Sequence, residues 1–185
     1  MVSIIIPAFD EAATVGQCVH EALLCPEATE VIVVDDGSAD DTADVAKAAG
    51  ARVIRLKHNA GKAAAMDAGV REARHDVILF LDADVTGHTP KVLSDIVRPV
   101  MTGQYEMSVG IRARQTLWLN RLLHFFPIIG GDRAVTRRLW DAVPKQYQEG
   151  FKIEIALNHT SKRFERGMNF HLMPGTRHHI KEKKY

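Results

Sequence analysis

The chain has 185 residues, 46% of them apolar, which is enough for one core of ordinary size and too short for a second full domain. Its 24 Lys and Arg nearly balance its 23 Asp and Glu, so neither a basic field for nucleic acid nor the acidic excess of a disordered chain is present. Only two cysteines, Cys18 and Cys25, and an MVSIII opening without a cleavable apolar leader imply a reducing, cytoplasmic setting.

Apolar runs of strand length stand at Val2–Ile6, Glu30–Val34, Arg52–Leu56 and Asp76–Leu81. Between them, Thr14–Leu24, Asp41–Ala49 and Lys62–Ala73 carry helical spacing. Strands apolar on both faces that alternate with helices predict a Rossmann-like α/β fold, a mostly parallel sheet with helices on both faces. Gly50 reads as a helix stop, and Thr89-Pro90 as a helix start with Thr89 as the cap. After Met101 the alternation fades. A strand at Glu106–Ile111, a helical apolar segment at Leu117–Phe126 and a turn at Gly130-Gly131 are expected. A helix near Lys152–Arg166, a strand at Met168–Met173 and a basic tail from Arg177 to Lys184 follow. Without repeats or linkers, residues 1–185 are expected to form a single domain.

Ligands of open α/β sheets bind beyond the carboxyl ends of the strands. The loops there read Pro7-Ala8-Phe9-Asp10-Glu11, Asp35-Asp36-Gly37-Ser38, His58-Asn59-Ala60-Gly61-Lys62 and Asp82-Ala83-Asp84. Asp82 and Asp84, separated by the small Ala83, are hard oxygen ligands suited to Mg2+ or Mn2+, or alternatively polar turn residues. Asp36 can accept from a ribose hydroxyl or a base N–H, while Ser38 or Asp40 caps the following helix. Lys62 places a cation at a helix start, a favourable site for an anion. The spacing of a P-loop is absent, which removes the main support for an ATPase.

These segments, Ile4–Glu11, Val33–Ser38, Asn59-x-Gly61-Lys62-x-x-Ala65 and Leu81–Asp84, occur in order and resemble the inverting family 2 glycosyltransferases of the GT-A fold. The resemblance is sharpest over residues 2–85. It implies a nucleotide-binding half at 1–100, an acceptor-binding half at 101–185, and a UDP- or GDP-sugar donor. It further implies that Pro7, Ala8 and Glu11 line the nucleoside pocket and that Asp36 touches base or ribose. Lys62 would lie near the nucleotide, with Asp84 as principal metal ligand and Asp82 on ribose or metal-bound water. The chain departs from the family where Asp10 and Asp67 replace asparagines, and where Thr86 stands in place of a glutamine common in the lipid-phosphate branch.

The second half should supply the acceptor site and, for a hydroxyl acceptor, a general base. Glu154 and Asp132 are the candidates. A phosphate acceptor would need neither. His178-His179 admit a metal reading in which at most one can reach the ion, because neighbours in a strand face opposite ways. The basic tail is their expected home. His20, His58, His75, His88, His124, His159 and His171 show no ligand spacing.

Trp118, Leu122, Phe125, Phe126 and Ile129 recur at helical spacing, as core or as a surface resting on a bilayer beside Arg112, Arg114 and Arg121. The second option implies peripheral contact at the inner face of a membrane and a lipid-linked or polymeric acceptor. Asn120, Arg121 and His124 interrupt the segment, so it cannot span. Two other functions compete: a sugar nucleotidyltransferase, which would want a glycine-rich basic first loop that Pro7–Ala13 lacks, and a non-catalytic glycosyltransferase-like binding module.

Overall fold

The computed structural model describes residues 1–112, 131–148 and 152–179. The expectations for Leu117–Phe126, Gly130 and Lys181–Lys184 fall outside these residues.

Strand β1 (Val2–Ala8) leads to helix α1 (Val15–Leu23), and β2 (Ala28–Asp35) leads to α2 (Thr42–Ala48). β3 (Arg52–Arg55), α3 (Lys62–Glu72), β4 (Val77–Phe80) and the two-residue β5 (Val85–Thr86) continue the alternation. Next come α4 (Pro90–Met101), β6 (Met107–Arg112), β7 (Arg133–Thr136) and α5 (Arg137–Asp141). A 3-10 turn at Lys145–Tyr147 precedes α6 (Lys152–Ser161), β8 (Met168–Met173) and the two-residue β9 (Arg177–His178).

Among the described residues, seven strands form one sheet in the order β3-β2-β1-β4-β7-β6-β8, and β5 pairs with β9 in a small second sheet. Only β7 runs against its neighbours in the large sheet. The mostly parallel sheet with helices on both faces is the expected architecture.

Alternation along the strands explains both faces, since successive side chains point to opposite sides. Ile4, Ile6, Val31, Val33 and Leu79 pack with α1, α2 and α4. Ile5, Ile32, Val34, Ile78 and Phe80 pack with α3, α5 and α6 on the other side. There the Phe80 and Trp140 rings lie 5.2 Å apart. Gly69 lets α3 approach closely, for a Cβ at that position would stand 2.5 Å from Ile5 Cγ2.

The expected helix signals are in place. Thr89 Oγ1 accepts from Val92 N at 3.2 Å ahead of α4, with Pro90 in its first turn. Gly50, at φ +103°, follows α2 in the left-handed region that glycine adopts freely. α6 stops at Ser161, short of Arg166; Ser161 Oγ donates to Asn158 O and the chain then turns. β7 and α5 have no counterpart in the sequence reading. β7 contains Arg133, whose side chain is wholly buried and breaks the apolar signature. Among the described residues no helix is long and apolar enough to cross a membrane.

Candidate active site

Parallel pairing brings the ends of β1, β2, β3 and β4 to one edge of the sheet. Because β7 is antiparallel, its beginning lies at that edge as well, carrying Gly131 and Asp132. Here a cleft of about 640 Å³ opens, walled by Pro7, Ala8, Glu11, Asp36, Lys62, Asp82, Ala83, Asp84 and Glu154. Phe9, Asn59, Gly61, Ala65, Gly131 and His178 complete the wall.

The first two loops are held by their own polar groups. Asp10 adopts φ +54°, a left-handed conformation that Asp and Asn tolerate, so the departure from asparagine preserves the turn. Its Oδ1 accepts from Ala39 N at 2.9 Å, and its N–H donates to Ser38 Oγ at 2.9 Å. Glu11 N–H donates to Thr42 Oγ1 at 2.8 Å. Asp40, not Ser38, bonds the start of α2, accepting from Thr42 N at 3.0 Å. Asp35 is buried as an internal brace, accepting from Ser38 N at 3.0 Å and lying 3.1 Å from Arg55 Nε.

Asp36 reaches across to the third loop, where its two oxygens accept from Ala60 N and Gly61 N, each at 2.8 Å. This loop must pass close to Gly37, since a Cβ there would come within 2.7 Å of the His58 backbone. Asp36 therefore borders the cleft and also shapes the loop that delivers Lys62.

Lys62 is the hub of the cleft. Its Nζ donates to Asp82 Oδ1 and to Glu154 Oε1, each at 2.8 Å. Burial pushes the Lys62 pKa down, but the two carboxylates push harder, and the net shift is upward. The ammonium is thus retained. Glu154, in the first turn of α6, is buried, and its Oε2 lies 3.6 Å from Arg133 Nη2. Arg133 also donates to Glu154 O at 3.2 Å and to Asn158 Oδ1 at 3.3 Å. Burial lowers the Arg133 pKa, yet a guanidinium stays charged in a protein.

Asp132 sits just behind the wall. Its Oδ1 accepts from Asp82 N at 3.0 Å and its Oδ2 lies 3.3 Å from His88 Nε2. Gly131 lies close beside Asp82, and a Cβ there would push against both of its carboxylate oxygens.

Asp84 meets a partner 94 residues away: its Oδ2 is 2.7 Å from His178 Nε2. β9 delivers this histidine by pairing with β5, Val85 opposite His178. His179 faces the other way, its Nε2 2.8 Å from Thr86 Oγ1. This alternation is the expected one, and of the two alternatives for the tail, folded over the site or solvated, the described part follows the first, with His178 at the cleft. Among the described residues no group of three or more His, Cys, Asp or Glu converges as a metal cage.

The sequence model of the glycosyl transferase family 2 matches residues 3–125. Glucosyl-3-phosphoglycerate synthase of Mycolicibacterium paratuberculosis is 29% identical over 193 residues, covering 84% of this chain and 58% of that enzyme. An undecaprenyl-phosphate 4-deoxy-4-formamido-L-arabinose transferase of Pseudomonas aeruginosa is 31% identical over 139 residues, covering 67% of this chain and 40% of that enzyme. The chain thus spans less than two thirds of either curated relative. In three dimensions it is similar to glucosyl-3-phosphoglycerate synthase of Mycobacterium tuberculosis, crystallised with Mn2+, uridine diphosphate and phosphoglyceric acid. The TM-score is 0.80 at 25% identity, over 98% of this chain and 72% of that one. The similarity extends through the β7–β8 half, well beyond the segments whose motifs carry the sequence match. The family match covers more than half of the chain, and the chain belongs to glycosyl transferase family 2.

Proposed function

We propose that the chain transfers a sugar from a UDP- or GDP-sugar to an acceptor with inversion. Residues 1–100 would bind the donor and 101–185 the acceptor. The observation that carries this reading is Lys62, whose Nζ is 2.8 Å from both Asp82, on the donor side, and Glu154, on the acceptor side. A cation shared by the two sides lies where a transferring sugar would have to sit.

Pro7, Ala8 and Glu11 border the cleft, where they would line the nucleoside. Asp36 spends one bond per oxygen on the loop amides, and a carboxylate has about four acceptor positions, so a ribose hydroxyl can still be received. The Asp84 carboxylate suits Mg2+ or Mn2+, and His178 Nε2, facing its Oδ2 on the wall, would add a nitrogen donor that Mn2+ accepts more readily than Mg2+. Asp82 lies beside them to meet ribose or metal-bound water. The remaining coordination positions would fall to diphosphate oxygens and water, the usual arrangement for such ions. When bound, the ion neutralises charge on the leaving diphosphate.

Between the candidate bases, Glu154 is favoured. Glu154 lines the cleft, its Oε1 on Lys62 and its Oε2 3.6 Å from Arg133, whereas Asp132 lies behind the wall with its oxygens on Asp82 N and His88. Glu154 would take the proton of the acceptor hydroxyl as the new bond to the sugar carbon forms and the bond to the diphosphate breaks. An acceptor phosphate, already ionised, would not need it.

For the acceptor, a lipid-linked or polymeric molecule at a membrane surface is the reading we favour. The name of the Pseudomonas aeruginosa relative contains undecaprenyl-phosphate, and the Trp118–Ile129 segment is aromatic and accompanied by arginines. Flotation with anionic liposomes at low and high salt tests it; no association at low salt would leave a water-soluble acceptor. The donor reading is tested by calorimetry with uridine and guanosine diphosphates in Mn2+ or a chelator, followed by a transfer assay. Binding of neither nucleotide would overturn it, and binding without turnover of any donor sugar would indicate a non-catalytic module.

A further inference from the structure

Behind the cleft, three buried ionisable side chains form a continuous chain that ends on the Asp82 peptide. Glu21, on α1, accepts from Gly87 N and His88 N, each at 2.9 Å, and its Oε2 lies 3.1 Å from His88 Nδ1. His88, with its side chain wholly buried, reaches Asp132 Oδ2 through Nε2 at 3.3 Å. Asp132 in turn accepts from Asp82 N at 3.0 Å. The Asp82 carbonyl accepts from Val85 N at 3.1 Å and from the Cys18 thiol at 3.6 Å. The Asp82 peptide is therefore gripped on both sides, and the grip at its N–H depends on where Asp132 is held.

Each ring nitrogen of His88 faces a carboxylate. A neutral imidazole donates from one nitrogen only and would turn a lone pair toward the other acid. Two buried carboxylates without a cation between them would also be costly.

We propose that His88 is a positioning residue, an imidazolium clamped between Glu21 and Asp132 that locks the Asp82-Ala83-Asp84 turn in the conformation that receives the donor diphosphate. The proposal rests on the reading of the cleft as a nucleotide-sugar site. It agrees with the direction of the His88 pKa: burial lowers it, and the bonds and charges of Asp132 and Glu21 raise it further. The other ionisable neighbour on α1, Cys18, is held neutral by burial and by the surrounding carboxylates. None of Glu21, His88 or Asp132 borders the cleft, so their effect on the donor must pass through the turn.

Nitrogen NMR of the protein labelled at histidine, with His88 assigned by its loss in His88→Gln, tests the clamp without any ligand. At pH 8, above the ordinary histidine pKa of about 6.5, both His88 ring nitrogens should carry protons. In Asp132→Asn the ring should become neutral, protonated at Nδ1 and accepting at Nε2 from the new amide. A neutral ring in the unaltered protein, or an imidazolium that persists in Asp132→Asn, overturns the proposal.

The second arm reads uridine diphosphate affinity in Mn2+. His88→Gln turns an amide oxygen toward one carboxylate and should weaken binding about tenfold by shifting the turn. Asp132→Asn alone still accepts from Asp82 N and should stay within about threefold. In the double variant His88→Gln with Asp132→Asn, the two introduced amides can rebuild an alternating donor–acceptor chain from Glu21 to Asp82. Affinity there should recover to within about threefold of Asp132→Asn. Unchanged affinity in His88→Gln, or no recovery in the double variant, overturns the positioning role. If His88→Gln fails to fold, the histidine resonance that changes in Asp132→Asn identifies His88 and decides its charge state, and an affinity loss in Asp132→Asn well beyond about threefold overturns the positioning role. Absence of nucleotide binding by the unaltered protein overturns the donor reading and the positioning role with it, while the charge state of His88 is judged by NMR alone.

Discussion

Lys62, the first residue of α3, and Glu154, in the first turn of α6, meet 2.8 Å apart across the cleft although 92 residues separate them. The pair joins the start of one helix to the acid proposed to act on the acceptor. Both elements are fixed from behind. α3 is pressed on β1 through Gly69, and Glu154 is braced by the buried Arg133 of β7.

Glu154→Gln should keep donor binding nearly intact and lower transfer to a hydroxyl acceptor by roughly a hundredfold or more. The substitution preserves shape and removes basicity. It also weakens a buried ion pair with Arg133, so a lower melting temperature is expected alongside. Steady-state kinetics with folded variants checks this. If Glu154→Gln transfers normally while Asp132→Asn does not, the two roles must be exchanged.

Uridine or guanosine diphosphate should bind at least about tenfold more tightly with Mn2+ than with a chelator, since the ion would bridge protein and diphosphate. Asp84→Ala should abolish that difference. His178→Ala should reduce it, because one donor of the facing pair is lost. Calorimetry of the variants at matched ionic strength measures both, and a full metal effect in Asp84→Ala would refute the assignment.

Much of this arrangement is legible in the sequence, for a physical reason. Parallel strands buried on both faces appear as uninterrupted apolar runs, and the loops at their ends carry Asp36, Lys62, Asp82 and Asp84 in order. β7 is not legible, because four residues that include a fully buried arginine look like neither a strand nor a core. His178 reads as part of a basic tail because a two-residue strand such as β9 leaves no periodicity to read. Glu21 and His88 are invisible as a pair. A glutamate on a helix and a single histidine in a loop acquire meaning only when α1 packs against the turn before α4.

Gly69→Ala should destabilise the protein by about 1–3 kcal/mol, the usual cost of forcing a methyl into a close-packed contact. The added Cβ would lie 2.5 Å from Ile5 Cγ2 and 3.2 Å from Val34 Cγ2, so α3 must lift from the sheet. Lys62 moves with the helix, and nucleotide affinity should fall as well. Gly131→Ala should separate these effects, since its Cβ collides with the Asp82 carboxylate instead of core side chains. We expect a large loss of affinity with a smaller change in melting temperature. Equal losses of stability in the two variants would contradict this division.

The Glu21–His88–Asp132 chain predicts a pH dependence of stability whose sign follows from the two shifts. Hydrogen bonds from Gly87, Gln17 and His88 outweigh burial and lower the Glu21 pKa. Its contribution is therefore present above the ordinary carboxylate pKa and is lost as pH falls through the depressed folded value. The His88 pKa is raised, so its contribution is complete below about pH 6.5 and is lost as pH rises through the elevated folded value. The groups facing His88 are Glu21 from α1 and Asp132 from the entry to β7, with the neutral Cys18 thiol nearby. The gap in melting temperature between the unaltered protein and His88→Gln should therefore be widest at mildly acidic pH and narrow on the alkaline side. For a chain of this size each kcal/mol corresponds to roughly 2–4 °C, which makes the change measurable by calorimetric scans from about pH 5 to about pH 9. A gap that stays constant over that range would mean that His88 stabilises the fold by filling space, with no contribution from its charge.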